Sequence, residues 1–372
     1  MQDCLGKSEI NNWTPDSLDK SHPRVQEWIQ TILYAVTKVG ITLLDTAPWY
    51  GHGTSEIVIG WAMQEILFNG NLKRDHLIIN TKVGRYEADP EKQFDFSKTA
   101  TIASVQRSLE RLQCGGYIDV LQLHDPEFAP SLDQILNETI PAMVECRENG
   151  WCRALGMTGY PLEVQHQILQ RSLEVHGPDV WDQALTYGHF NLHDMSLTVQ
   201  PVAKSASFAT YCWEQKIALL CAAPLSMGLL TERGPPEWHP ASAELKQASR
   251  RATNMCKSQG VNISTLALCV ALSDPRIPCT ILGMKDASEV DAVVAVAERF
   301  RNVDNSLPSA SILKQVLTED ESQAWNIIRD PLGGPFASVW SSGTSKWDGV
   351  REVRLFYNGM ANQRAEEWHA VL

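Results

Sequence analysis

The sequence predicts an α/β fold of the (β/α)8 TIM-barrel type, and three observations carry that prediction. Short apolar strands alternate with amphipathic helical stretches along most of the chain, several strands close on a polar or charged residue, and no repeat or Gly/Ser linker interrupts the run. Strands that are apolar throughout and separated by helices pair in parallel, because each helix carries the chain back to the same edge. At 372 residues the chain is long enough for one large barrel domain.

The elements follow in order. Residues 24–39 place Val25, Trp28, Ile29, Ile32, Leu33, Val36 and Val39 on one helical face, and Gly40 supplies the stop. ITLLD (41–45) is a buried strand, 54–68 a helix, HLIINTK (76–82) a strand. TIASVQRSLERL (101–112) keeps Ile102, Val105, Leu109 and Leu112 in helical register, and YIDVLQLH (117–124) is the next strand. The second half continues with helix 132–148, strand CRALGMT (152–158), helix 161–173, strand WDQALTY (181–187), helix 199–214 and strand IALLCAA (217–223). After the Pro-rich loop GPPEWHP (234–240) come two helical stretches between Ala241 and Ser273, the strand PCTILG (278–283) and a helix from Ala287 to about Phe300.

That count gives seven strands. Residues 1–23 are polar and turn-prone where a barrel would begin, so the first strand is expected to be missing or replaced. A parallel barrel closes by pairing its last strand with its first, and a missing member leaves two edges or draws in a substitute. The expected organisation is an irregular segment over 1–23, a barrel over 24–300, C-terminal helices (309–317, 319–328) and loop lying over the barrel to residue 343, and an extension over 344–372 without an assigned role, in which VREVRLFY could pair as a strand.

Composition narrows the function. A net charge of −12 argues against nucleic acid or an anionic membrane as the main partner, since both reward a basic surface. Small neutral or cationic partners stay open, as does the oligomeric state. Nine cysteines without a C-x-x-C pair fit reduced, buried thiols. The start MQDCLGKSEINNW has neither a basic beginning nor an apolar core, and no segment is an apolar run of membrane length, so the cytosol is the expected location.

The chemistry concentrates at strand ends. LLDTAPWYGHGTSEIVIG (43–60) sets Asp45 at the end of a strand and Tyr50 in the loop after it, and Lys82 and His124 close the next two strands. Each is ordinary alone: a cap, a core aromatic, a surface cation, a loop histidine. Together, at the C-terminal ends of successive barrel strands, a carboxylate, a phenol, an ammonium and an imidazole make a proton-transfer site.

At these residues the chain resembles the aldo-keto reductase superfamily, whose Asp, Tyr, Lys and His set matches Asp45, Tyr50, Lys82 and His124 in order, over about Val25 to Gly343. The string APLSMGLLTERGPPEWHPAS (223–242) is similar to the L-galactose dehydrogenase-like branch. The resemblance implies an NAD(P)-dependent oxidoreductase acting on a sugar hemiacetal or small carbonyl. Hydride transfer to a carbonyl needs a proton for the nascent alkoxide, and a free phenol near pKa 10 holds it too tightly. Lys82 would lower that value, Asp45 would hold Lys82, and His124 would orient the substrate oxygen. Trp49, Tyr86 and Asp125, with the rest of the 125–130 loop, would shape the substrate pocket.

On the cofactor side the resemblance implies Thr158 and Gly159 of GMTGY near the nicotinamide carboxamide, with Tyr187 where the family carries a glutamine. Pro224, Leu225, Ser226 and Gly228 would run along the pyrophosphate through backbone N–H groups, with Ala223 replacing a serine. Gly283, Met284, Lys285, Asp286 and Glu289 of ILGMKDASEV would form the adenosine end at a strand–helix junction. Asp286 would repel a 2′-phosphate, which favours NAD over NADP. Ala292 and Val293 replace a Glu-Asn pair that grips adenine. No metal is implied: His189 and His193 lack a surrounding ligand set. The competing reading is a barrel that keeps the four residues but has lost efficient turnover and acts as a binding or regulatory protein.

Overall fold

The computed structural model describes residues 14–337, except 69–71, 88, 90–91, 204–205, 238 and 240. The expectations for 1–13 and for 338–372, including the VREVRLFY strand, lie outside the described residues.

The strands are β1 (Leu43–Asp45), β2 (Ile78–Val83), β3 (Ile118–His124), β4 (Cys152–Gly159), β5 (Gln183–Tyr187), β6 (Pro201–Ala203), β7 (Ala206–Ser207), β8 (Ala218–Ala222) and β9 (Cys279–Ile281). Seven of them form one sheet in the order β1-β2-β3-β4-β5-β8-β9. The pairs β1–β2, β2–β3, β3–β4 and β8–β9 are parallel. Strand order that follows chain order, with helices between, is the connectivity of a (β/α)8-type barrel. Among the described residues no strand precedes Leu43; residues 15–17 form a 3-10 turn instead.

Most predicted elements stand within a few residues of their expected bounds. Helix 24–39 becomes an α-helix over Pro23–Tyr34 and a π-turn over Ala35–Val39, stopped by Gly40 at φ 87°. One segment differs. The helix expected over 199–214 is a short antiparallel hairpin of β6 and β7 followed by a helix over Phe208–Glu214 only. Pro201 opens β6, a position that suits a residue without an N–H.

By contacts the described chain falls into two compact units. The first comprises the described residues up to Gly159, with Gln167–Gln183 and Gly283–Asp291. Here the helix Pro23–Tyr34 buries Val25, Trp28 and Ile29 against Val58 and Ala62 of the helix Thr54–Phe68. The latter lies so close to the helix Lys98–Leu112 that a Cβ on Gly60 would sit 2.1 Å from the Arg111 carbonyl oxygen. Thr31 donates to the Lys285 carbonyl (3.3 Å) and Tyr34 to Asp291 (2.6 Å), which fixes the 283–291 segment on that helix.

The second unit comprises Tyr160–His166, Ala184–Leu282 and the described residues from Ala292 onward. Its core joins Leu245, Ala248 and Ala252 of the helix Ala243–Ser258 to Leu266 and Val270 of the helix Ile263–Ala271 and to Leu229 and Leu230. Helices Ser309–Val316 and Glu319–Ile328 complete it through Ile312, Leu313, Ala324 and Ile328. A capping box between Thr318 and Glu321 starts the last helix. No helix among the described residues is long and apolar enough to cross a membrane.

Candidate active site

Asp45, Tyr50, Lys82 and His124 all lie in the first unit, and its strands bring them together. Register does most of the work. β1 pairs Asp45 with Asn80, β2 pairs Lys82 with Gln122, and β3 pairs His124 with Thr158. Side chains alternate along a strand, so Asn80 and Lys82 share one face of β2, and Gln122 and His124 share one face of β3.

The turn after β1 sets the phenol. Tyr50 donates its amide to the Ala47 carbonyl (3.0 Å), and the chain then runs through three left-handed residues, Gly51 (φ 61°), His52 (φ 54°) and Gly53 (φ 98°). At φ 98° the Gly53 position favours glycine, and a Cβ there would also push aside the Arg111 guanidinium, whose carbon lies 2.6 Å away. The string TSE then anchors the following helix. Ser55 Oγ shares a 2.8 Å hydrogen bond with Thr46, and fully buried Glu56 accepts from Thr81 Oγ1 (2.7 Å) and pairs with Arg111 (3.1 Å).

Lys82 is 1 % exposed. Its Nζ donates to Asp45 Oδ2 (2.6 Å) and to the Thr46 carbonyl (2.8 Å), and lies 4.7 Å from the centre of the Tyr50 ring. Asp45 Oδ1 accepts from Gln122 Nε2 (2.8 Å), and Gln122 Oε1 accepts from Gln183 (3.1 Å). The ion pair is therefore buried and hydrogen-bonded on both sides, the condition under which such a pair is tolerated. The Tyr50 and His124 rings meet edge to face, centroids 6.0 Å apart.

Electrostatics sort the groups. Burial pushes the Tyr50 phenol above its ordinary value; Lys82 pulls against that rise, and Asp45 and Asp125 add to it. The net direction corrects the expectation of a phenol made more acidic by its lysine: desolvation outweighs the ammonium. Burial also acts to lower the Lys82 ammonium, but Asp45 and Tyr50 outweigh it and the net direction is up, which keeps the cation. His124 is driven down to about 3, first by burial and then by Lys82 and Arg85 against the opposing pull of Asp125. Its imidazole is neutral at ordinary pH.

The expected substrate residues divide. Trp49 lies beside this cluster in sequence, with its ring under the Arg85 guanidinium at 4.2 Å. Asp125 pairs with Arg85 (2.6 Å) and stands 3.6 Å from His124. Tyr86 differs: its hydroxyl is buried toward Thr101 and Ser104 of the helix Lys98–Leu112, and burial pushes it up to about 12. Arg85 and Gln122 are the members that sequence reasoning missed. A glutamine two residues before His124, and so on the same strand face, was the available signal for the second.

The cofactor candidates fall in both units. In the first, Thr158 is buried and its carbonyl accepts the Asp125 amide (2.8 Å). A Cβ on Gly159 would lie 2.7 Å from Glu127 Oε2. Gly283 and Met284 lead into Lys285 and Asp286 ahead of the helix Ala287–Ala297. There Asp286 Oδ1 accepts from the Glu289 amide (3.0 Å) and the Ser288 hydroxyl (2.7 Å), while Glu289 accepts from the Lys285 amide (2.9 Å) and pairs with Lys285 Nζ (3.1 Å). The helix start is thus capped by its own carboxylates.

In the second unit Tyr187 packs against Tyr160, centroids 5.2 Å apart. Pro224, Leu225, Ser226 and Gly228 form a tight turn in which Ala223 (φ 59°), Ser226 (φ 47°) and Met227 (φ 50°) are left-handed. The amides of Ser226, Gly228, Leu229 and Leu230 close hydrogen bonds within this loop. Two buried histidines hold it: His193 Nε2 meets Ser226 Oγ at 2.8 Å and His239 Nε2 meets the Ser226 carbonyl at 2.9 Å. His189 meets Ser196 and the Tyr160 carbonyl, each at 2.8 Å.

Known proteins resemble the chain over most of its length. The model of the aldo/keto reductase family matches residues 12–308. L-galactose dehydrogenase of Arabidopsis thaliana is 36% identical over 288 residues, covering 77% of this chain and 83% of that protein. D-arabinose 1-dehydrogenase of Saccharomyces cerevisiae is 28% identical over 299 residues, covering 77% and 83%. Among solved structures, the holo form of aldo-keto reductase AKR11C1 from Bacillus halodurans superposes with a TM-score of 0.57 at 25% identity, covering 84% of this chain and 88% of that one. A match of that extent leaves one assignment: the chain belongs to the aldo/keto reductase family and is an oxidoreductase.

Proposed function

We propose that this enzyme transfers hydride between a nicotinamide cofactor and the C1 position of an aldose, with Tyr50 as the proton donor and acceptor. The observation that carries the reading is the buried contact of Lys82 Nζ with Asp45 at 2.6 Å and with the Tyr50 ring at 4.7 Å. The aldose follows from the relatives, which include an L-galactose dehydrogenase, a D-arabinose 1-dehydrogenase and a D-threo-aldose 1-dehydrogenase.

The residues fit a dinucleotide without a 2′-phosphate. At the 283–289 corner, carboxylates of Asp286 and Glu289 already sit on the Glu289 and Lys285 amides. Such a corner accepts hydrogen bonds from ribose hydroxyls and repels a further anion, so NAD is preferred to NADP. Within the first unit, Thr158 and Gly159 would border the nicotinamide. When bound, the nicotinamide supplies the hydride acceptor or donor.

The chain's own groups handle the proton. In the oxidative direction Tyr50 takes the proton of the anomeric hydroxyl, and the Lys82 ammonium stabilises the phenolate that receives it. Asp45 and Gln122 keep Lys82 from turning away. In the reductive direction the phenol, kept protonated by burial, gives its proton to the forming alkoxide. His124, neutral, orients the substrate oxygen without adding charge.

The test combines NADH and NADPH fluorescence titration with an aldose turnover screen. Saturable NADH binding with aldose oxidation supports the reading. Tyr50→Phe should abolish turnover and spare binding; full activity in that variant removes Tyr50 from the mechanism. No binding at about millimolar cofactor would favour a binding or regulatory protein instead.

A further inference from the structure

We propose that Arg85 is a positioning residue for His124: by holding the Asp125 carboxylate, it keeps that carboxylate off the imidazole, so that the ring meets the substrate oxygen as a neutral group. The inference rests on the reading of Tyr50, Lys82 and His124 as the reaction site.

Arg85 follows β2 by two residues, and its guanidinium lies over the Trp49 ring at 4.2 Å and the Phe94 ring at 5.2 Å. Nη1 donates to Asp125 Oδ2 at 2.6 Å, and Nη2 donates to Gln93 Oε1 at 3.3 Å. The same Asp125 oxygen stands 3.6 Å from His124 Nε2. One carboxylate oxygen therefore faces two bases and is bonded to the guanidinium.

Asp125 has little freedom to leave. Its side chain is 5% exposed, its backbone is left-handed at φ 49°, and its amide is tied to the Thr158 carbonyl at 2.8 Å. Without the guanidinium, a buried carboxylate is left uncompensated, with His124 Nε2 3.6 Å away. Protonation of the ring would satisfy it. That would put an imidazolium beside Lys82 and Tyr50 and turn Nε2 from substrate toward Asp125.

The charged and titratable groups around the ring come from three strand ends. Asp45 and Tyr50 belong to β1 and its turn, Lys82 and Arg85 to β2 and its loop, and Asp125 follows the ring itself on β3. Lys82 and Arg85 oppose a proton on His124, and Asp125 favours one. Removing Arg85 deletes an opposing charge and frees the favouring one, so both changes act in the same direction. Nδ1 is buried with no hydrogen-bond partner among the described residues, so Nε2 is the nitrogen that answers to Asp125.

The experiment is an NMR titration of the His124 ring in histidine-labelled enzyme, with His124→Gln identifying the signal, alongside the pH profile of kcat/KM. In the native enzyme the ring should not titrate between about pH 5 and 8, well above its folded value. In Arg85→Met, whose stem still covers Trp49 and Phe94, the ring should titrate within that range, and kcat/KM should fall about tenfold on the acid side as it does so. Arg85→Lys should restore the native profile, and Arg85→Met with Asp125→Asn should abolish the titration. Arg85→Gln provides the same comparison if the methionine variant does not fold. A ring that stays untitrated in both Arg85→Met and Arg85→Gln, or that titrates equally in the double variant, overturns the proposal. The NMR result does not require turnover. An active Tyr50→Phe defeats the site reading, whereas an inactive Tyr50→Phe with an unchanged ring in the Arg85 variants defeats only the role given to Arg85.

Discussion

Replacing Lys82 by methionine keeps most of the side-chain volume and removes one charge, and the structure assigns it two separable consequences. Lys82 is 1% exposed and its ammonium is 2.6 Å from Asp45 Oδ2. Removing it leaves a buried carboxylate held by Gln122, and breaking a buried pair from one side costs about 3–5 kcal/mol. The second consequence falls on Tyr50. With the charge 4.7 Å from the ring centre and an effective dielectric of about 20, the lost attraction for a phenolate is about 3–4 kcal/mol, or roughly two to three pKa units. Oxidation at neutral pH should then slow by about 10²–10³-fold, with the alkaline limb of kcat moved upward by the same interval. The assay is thermal unfolding beside aldose oxidation across pH. Asp45→Asn combined with Lys82→Met removes both charges, so it should recover most of the lost stability and none of the lost rate. A double variant that regained the rate, or a Lys82→Met enzyme with an unmoved alkaline limb, would refute the electrostatic role of Lys82.

Three further outcomes are expected. Asp286→Ser removes a carboxylate from the helix start and should shift binding toward NADPH relative to NADH by about tenfold, read by fluorescence titration; an unchanged ratio excludes Asp286 from selectivity. Acid stability should decline between about pH 6.5 and 4, because His124 and His239 are lowered in the folded state to about 3 and about 4 and so take up protons first in the unfolded chain. His239 accounts for about 3 kcal/mol of that decline, and His239→Gln should flatten the pH dependence of the melting temperature over this window. Gly60→Ala should destabilise the enzyme by about 1–3 kcal/mol, since its methyl would fall 2.1 Å from the Arg111 carbonyl oxygen; an unaltered melting temperature would mean that the two helices part easily.

The fold was legible because each barrel element carries its own period. Strands such as IALLCAA are short and apolar, their helices amphipathic, and Gly40 ends a helix in the left-handed conformation that favours glycine. The hairpin of β6 and β7 is hidden in the sequence because the stretch from Val199 is apolar at spacings a helix would also use. In the site, Asp45, Lys82 and His124 were readable as polar residues closing apolar strands. Arg85 was not, because its importance comes from contacts with Asp125 and Trp49 that no spacing encodes. The direction of the Tyr50 shift was hidden for a related reason: a sequence names the neighbouring charge but not the depth of burial that outweighs it.

Glu56 has one further consequence. It has no exposure, and it ties the helix that follows the Tyr50 turn to Thr81 on one strand and to Arg111 on the next helix. Thr81 adjoins Lys82 in the chain, so a single carboxylate on the far side of the wall sets the spacing between the element that carries the phenol and the element that carries the ammonium. Selection for turnover therefore reaches residues that never meet the substrate. A change at Arg111 would surface in kinetics as a catalytic defect, though it lies behind the strands rather than at their ends.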